Sequence, residues 1–229
     1  MQACLNGARS RDEHAAVAMT PAACAAEAAA AVDAGATDLH IHPRTLDGRD
    51  SLVADDVGSW IRAVREVCAA PVGVTTGTWA WSGGHAAAEA VRSWQVLPDH
   101  ASVNWHEKEA EALAEALVAR GIGLHAGLWT PECATRWLES PWRVHTASVL
   151  LELPDAPAQE SVARSMVDRV ADCGLPILLH GEGQSAWPML DCARSWGLLT
   201  RVGLEDMLVG PDGEEVRGNA DLLRLAARR

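Results

Sequence analysis

The chain has 229 residues, with 19 Lys and Arg against 31 Asp and Glu, for a formal charge of −12. That length supports one sizeable core, and the negative balance argues against a nucleic-acid surface or an anionic membrane and for small-molecule partners. Six scattered cysteines without CxxC or zinc-finger spacing read as reduced thiols of a cytoplasmic protein, and no uncharged apolar run reaches the roughly 18 residues of a membrane span.

In chain order, "QACLN" opens as a short strand. Thr20 as N-cap with Pro21 at the first helical position starts a helix over 20–34 that the glycine of "DAGA" stops. The run between them, "AACAAEAAAAVDAGA", contains Glu27 and Asp33 and follows a mixed-charge segment, which is unlike an export signal. Strand "TDLHIH" precedes a helix over 54–68, "PVGVTT" a helix over 84–94, and "ASVNW" a helix over 107–120. "IGLHAG" precedes 132–138, "SVLLEL" 159–173, "PILLHG" 187–196, and "TRVGLE" a closing helix over 219–229.

Eight βα units in one chain predict an α/β protein, a single-domain (β/α)8 TIM barrel over residues 1–229. A doubly wound open sheet is the rival, but no glycine-rich phosphate loop follows the first strand. In such barrels the reactive groups collect at the carboxyl ends of the strands. That rim is predicted to carry His40, His42, Thr75, Thr76, Asn104, His125, His180, Glu182, Glu205 and Asp206.

Alternate strand residues face the same way, so His40 and His42 are expected to point together at the barrel axis, with Leu39 and Ile41 in the helix layer. Two such imidazoles can share one metal. If "TRVGLED" runs on as a strand, Arg201, Gly203 and Glu205 share a face, and Glu205 supplies a third, anionic ligand. Two histidines and a glutamate with an open position form a recognised catalytic zinc arrangement. The plainer alternative is a pair of hydrogen-bonded interior histidines. Asp206 faces away if the strand continues and turns back over the rim if it ends. Arg201 is either an active-site cation or half of a structural ion pair with Asp206. Thr75, Thr76 and Asn6-Gly7 are also explained by ordinary strand-end turns, and "HGEG" by a tight βα turn, while His125 suits a pocket-lining or core role.

The segments "NGARS", "TDLHIHPR", "GVTTGTW", "SVNW", "HGEG", "RVGLEDML" and "GNADLL" resemble, in this order, the β-keto acid cleavage enzymes. The founding activity of that family is 3-keto-5-aminohexanoate cleavage. The resemblance implies a zinc-dependent barrel, commonly a homo-oligomer. Its reaction is an acyl transfer in which a β-keto acid and acetyl-CoA become acetoacetate and a new acyl-CoA. It also implies zinc ligation by His40, His42 and Glu205, and a proton-removing dyad of Arg201 and Asp206. Thr75 and Ser102 would hydrogen-bond the substrate, and Asn104 matches a motif position near the metal. Where members that take amino-substituted keto acids are expected to have a carboxylate after "GA", this chain has Arg9. An arginine there would favour a carboxylate or polar substrate tail, bind a coenzyme A phosphate, or pair with Asp12 or Glu13. Two rivals stay open. An amidohydrolase-type hydrolase would place H-x-H on the first strand, and a non-catalytic zinc or ligand-binding barrel would need no base.

Overall fold

The period-two apolar runs and the capped helices between them become eight parallel strands and their helices in the computed structural model, which describes residues 1–77 and 87–229. In chain order these are β1 (Gln2–Cys4), α1 (Pro21–Asp33), β2 (Asp38–Ile41), α2 (Ala54–Val67), β3 (Val72–Thr75), α3 (Ala87–Ser93), β4 (His100–Asn104) and α4 (Ala110–Ala119). Then follow β5 (Gly123–Leu128), α5 (Pro131–Glu139), β6 (Thr146–Leu153), α6 (Glu160–Val170), β7 (Ile177–Gly181), α7 (Ala186–Ser195), β8 (Arg201–Val202) and α8 (Asn219–Ala227). The helix expected from residue 84 begins outside the described residues, as do Thr78 and Trp79 of the "GVTTGTW" motif. Among the described residues no helix is long and apolar enough to cross a membrane.

Sheet neighbours run β7-β6-β5-β4-β3-β2-β1-β8. A parallel bridge between Leu178 and Leu199 brings β7 to the segment ahead of β8, where the Leu199 amide donates to the Ile177 carbonyl at 3.0 Å and the Leu179 amide to the Leu199 carbonyl at 2.9 Å. The ring of strands is thereby closed, as eight βα units require. Leu39 and Ile41 are fully buried in the core between barrel and helices. Their alternation partners, His40 and His42, turn to the interior.

Three expectations are corrected. β8 ends at Val202 rather than running through Glu205: both the Asp206 and the Met207 amide fold back onto the Gly203 carbonyl at 3.0 Å. His125 does not end its strand. It lies midway along β5 with its ring stacked 4.0 Å from that of His100. Residues 171–173 leave the α6 helix as a 3-10 turn, and a second 3-10 turn, Pro141–His145, joins α5 to β6.

The floor of the barrel is polar. His100 Nε2 lies 2.8 Å from Asp38 Oδ1, whose other oxygen accepts from Gln2 Nε2 at 2.7 Å. Gly73 is glycine because the His100 ring lies directly on it, and a Cβ would overlap that ring. Burial, helped by His100, holds His125 down to about 3, so it is a neutral partner in this stack. Tryptophan, the sole F/W/Y type among the 229 residues, fills the outer core. Trp60, Trp94, Trp105 and Trp137 are fully buried. Two of them pin the loop after β2: the Trp60 indole donates to the Arg44 carbonyl at 3.2 Å and the Trp94 indole to the Leu52 carbonyl at 2.9 Å.

Candidate active site

His40 arrives on the inner face of β2, whereas His42 sits one residue past its end and needs another anchor. Fully buried Asn6 supplies it, accepting from the His42 amide at 2.9 Å and donating to the His42 carbonyl at 2.8 Å. Glu205 comes from the turn after β8. That turn is pinned by Asn219 at the start of α8, which accepts from the Leu204 amide at 2.9 Å and donates to the Leu5 carbonyl at 3.0 Å. Gly7, with φ at +51°, lies against the Glu205 side chain where a Cβ would collide with it. The loop after β1 can therefore close directly over the carboxylate.

Ligand atoms of His40, His42 and Glu205 all lie within 4.8 Å of one another. His40 Nε2 is 3.8 Å from Glu205 Oε2, and His42 Nε2 is 3.5 Å from Oε1. Burial keeps His40 down to about 3, a neutral imidazole with a lone pair to donate. Burial also opposes charge on His42, but Glu205 and Asp50 outweigh it and lift the group to about 9, so an arriving cation would displace a proton here. Glu205 would be raised by its burial, yet Arg201 and the two histidines hold it well below the usual carboxylate range. Among the described residues its Oε2 is buried without a hydrogen-bond partner. Such an atom is costly unless something binds it, and two imidazoles and an orphaned carboxylate oxygen aimed at one point fit a divalent ion.

Sequence reading missed the group behind His42. Asp50 Oδ2 lies 3.3 Å from His42 Nδ1, leaving Nε2 for the cluster, and Asp50 Oδ1 lies 3.6 Å from Arg44 Nε. Arg44 in turn donates to the carbonyls of Gly7 at 2.6 Å, Arg9 at 2.5 Å and Gly48 at 3.0 Å, tying the loops after β1 and β2 together. A carboxylate behind a metal-binding histidine fixes its tautomer and raises its basicity. Asp50→Asn is therefore expected to weaken divalent-ion binding by about 10- to 100-fold, read by competition with a chromophoric chelator; parent affinity in the variant would refute this support role.

Behind Glu205 lies a buried charge cluster. Arg201 Nη2 donates to Asp206 Oδ1 at 2.7 Å and to Glu205 Oε1 at 3.0 Å, while Nε lies 3.1 Å from Asp206 Oδ2 and 3.0 Å from His180 Nδ1. Burial disfavours the guanidinium, but Asp206 and the other anions keep it well above its ordinary range, so it stays charged. His180 Nε2 faces Glu152 Oε2 at 3.4 Å. Glu152 was also missed, although an acid within the otherwise apolar "SVLLEL" strand was its signal.

A cavity of about 290 Å³ opens in front of these groups. It brings together His40, His42, Glu205 and Arg201 with Arg9, Thr75, Ser102 and Asn104, which are eight of the nine residues proposed from sequence. The ninth, Asp206, is 0% exposed and stands behind Arg201, outside the lining. Asn104 is held by Glu107, which accepts its amide at 3.0 Å, and by the Trp129 indole, which donates to its oxygen at 3.1 Å. Arg9 forms the ion pair with Glu13 that the sequence had allowed, at 2.9 Å, and its Nε donates to the Glu205 carbonyl at 3.0 Å. Glu13, Glu152 and Glu182 complete the acidic part of the wall.

The fold is shared with enzymes of little sequence similarity. The 3-dehydroquinate dehydratase of Aquifex aeolicus VF5 superposes with a TM-score of 0.60 at 10% identity, over 99% of this chain and 97% of that one. That of Geobacillus kaustophilus HTA426 gives 0.61 at 10% identity, over 99% and 89%. A mandelate racemase/muconate lactonizing enzyme from Roseiflexus sp. gives 0.51 at 15% identity over 79% of this chain, which spans only 47% of that enzyme. These likenesses concern the barrel alone. No curated protein matches the sequence. The family model described as beta-keto acid cleavage enzyme matches residues 1–125, which carry β1 through β4 with His40 and His42. The chain belongs to the beta-keto acid cleavage enzyme family.

Proposed function

We propose that the chain is a zinc-dependent β-keto acid cleavage enzyme. In this reading it condenses a β-keto acid with acetyl-CoA and, after transfer of the CoA thiolate and a retro-Claisen step, releases acetoacetate and a new acyl-CoA. The observation that carries it is the His40, His42 and Glu205 cluster, open to a cavity that is also bordered by Arg201. A bound divalent ion would supply Lewis-acid polarisation of the ketone and so acidify the carbon between ketone and carboxylate. The remaining tasks fall to this chain's residues. Thr75, Ser102 and Asn104 offer hydroxyl and amide groups that orient the substrate. Arg201 presents a fixed positive charge to the developing enolate, and Asp206, with both oxygens on Arg201, completes the proton-removing dyad implied by the resemblance. Small molecules are the proposed partners, and a cytoplasmic homo-oligomer the proposed setting.

Production of acetoacetate from acetyl-CoA and a panel of β-keto acids tests this reading. A hydrolase would consume substrate without acetyl-CoA, and a binding barrel would give no turnover. Tail selectivity is assigned to Arg9. Since Glu13 balances much of its charge, a dicarboxylic keto acid is expected to be preferred over an amino-substituted one by only about tenfold in kcat/KM, roughly 1.4 kcal/mol. Arg9→Glu should reverse that ratio; an unchanged ratio would remove Arg9 from tail recognition.

A further inference from the structure

In the acyl-transfer reading above, on which this inference rests, Arg201 has two duties: it holds Asp206 and it faces the enolate. One guanidinium can serve both only if its plane is fixed. Nη2 donates to Asp206 Oδ1 and Glu205 Oε1, while the single hydrogen of Nε lies between Asp206 Oδ2 at 3.1 Å and His180 Nδ1 at 3.0 Å. Among the described residues nothing accepts from Nη1, although Arg201 borders the cavity. The edge formed by Nε and Nη2 is therefore the anchored one, and Nη1 is left for the substrate.

The anchors differ in what they are attached to. Glu205 and Asp206 both belong to the turn after β8, so they move with that turn. His180 belongs to β7, is 1% exposed, and pairs in register with Glu152 on β6, so it ties the guanidinium to the barrel wall. We propose that His180 is a positioning residue for this reaction: by accepting the Arg201 Nε hydrogen it fixes the plane of the guanidinium, and with it the orientation of the arginine and aspartate dyad toward the keto acid.

That role needs one tautomer. A guanidinium only donates, so Nδ1 has to present its lone pair to Nε, and the ring proton sits on Nε2. Nε2 is buried and faces Glu152 Oε2 at 3.4 Å, a carboxylate that favours a proton on this side of the ring. Burial and Arg201 oppose a second proton on the ring, whereas Glu152 and Asp206 draw one toward it and lift the group to about 8. A second proton would have to enter the 3.0 Å gap at Nδ1 that the Arg201 hydrogen already fills, so the contact itself keeps the ring a neutral acceptor.

Three substitutions separate this role from simple packing. Asparagine puts its amide oxygen where Nδ1 stands, glutamine puts its own nearer Nε2, and leucine has none. His180→Gln and His180→Leu are therefore expected to lower kcat by at least about 100-fold, since a guanidinium displaced by about 1 Å no longer meets the enolate. KM should stay within about threefold of the parent, because the lost interaction is made in the transition state, and metal content should not change. His180→Asn keeps the acceptor and should retain kcat to within about tenfold. A second readout needs no turnover. Nitrogen NMR of the parent at neutral pH should find the His180 ring bare at Nδ1 and protonated at Nε2, with slow solvent exchange of the Arg201 Nε hydrogen that quickens in His180→Gln and His180→Leu but not in His180→Asn. A proton on Nδ1, parent kcat in His180→Leu, or equal losses of kcat in His180→Asn and His180→Gln at matched melting temperatures each overturn the assignment alone. A parent with the expected NMR pattern that makes acetoacetate from no β-keto acid overturns the acyl-transfer reading, and the role of His180 with it.

Discussion

His40→Ala is expected to lower acetoacetate formation by at least about 1,000-fold and to leave the barrel folded. His40 sits at the mouth of the barrel, one position from the fully buried Ile41, and contributes little to the apolar core. Its loss leaves Glu205 Oε2 and His42 Nε2 as a pair that holds a divalent ion weakly. The same collapse should follow chelation of the parent, and zinc should restore the chelated parent but not the variant. Metal content by elemental analysis, set beside the initial rate, makes the comparison. Full turnover in protein stripped of metal would end the proposal that His40, His42 and Glu205 are a catalytic metal site, whatever ion they are able to bind.

The sequence made the first half of this centre legible because a strand has a rigid period. His40 and His42 share a face with no information beyond their spacing, and Leu39 and Ile41 had to go to the core. Helix starts were legible for a similar local reason: Thr20 accepts from the Ala23 amide at 3.3 Å, as a threonine ahead of proline predicts. The same logic reached Glu205 by the wrong route. Strand period was extended to a segment where the chain turns at Gly203, and Glu205 meets the histidines through that turn. What stayed hidden depends on where loops close. Asp50 reaches His42 because Arg44 and Asp50 form an antiparallel bridge and two tryptophans from elsewhere pin that loop. Nothing in the spacing of "HPRTLDGRD" announces it. Arg9 shows the limit of reading a charge without its neighbours: its effect on a substrate tail depends on Glu13, which the backbone and hydroxyl of Ser10 hold in place at 2.8 and 3.3 Å.

Asp206→Asn is expected to cut turnover by about 100- to 1,000-fold while leaving metal content unchanged, because its carboxylate is held by Arg201 and faces His180 at 3.7 Å, and it stands outside the cluster of His40, His42 and Glu205. An asparagine of the same shape keeps one acceptor for the guanidinium and removes the negative charge. Arg201 is 3% exposed and stays cationic, so a buried pair becomes a buried cation that leans on Glu205 at 3.0 Å and Glu152 at 3.9 Å. Breaking such a pair outright costs about 3–5 kcal/mol, and the retained amide oxygen should hold the loss nearer 2 kcal/mol, a fall in melting temperature of roughly 4–8 °C for a chain of this size. The larger effect is on rate: a guanidinium drawn toward Glu205 no longer faces the enolate, and a displacement of about 1 Å is enough to cost 100-fold. The same change removes the base half of the proposed proton-removing dyad. Exchange of the substrate C–H in deuterated buffer without acetyl-CoA reads that half directly: it is expected to fall together with turnover in Asp206→Asn, and exchange at the parent rate would leave Asp206 a positioning role alone. Turnover within threefold of the parent would remove Asp206 from the reaction altogether, and loss of metal would make it a ligand.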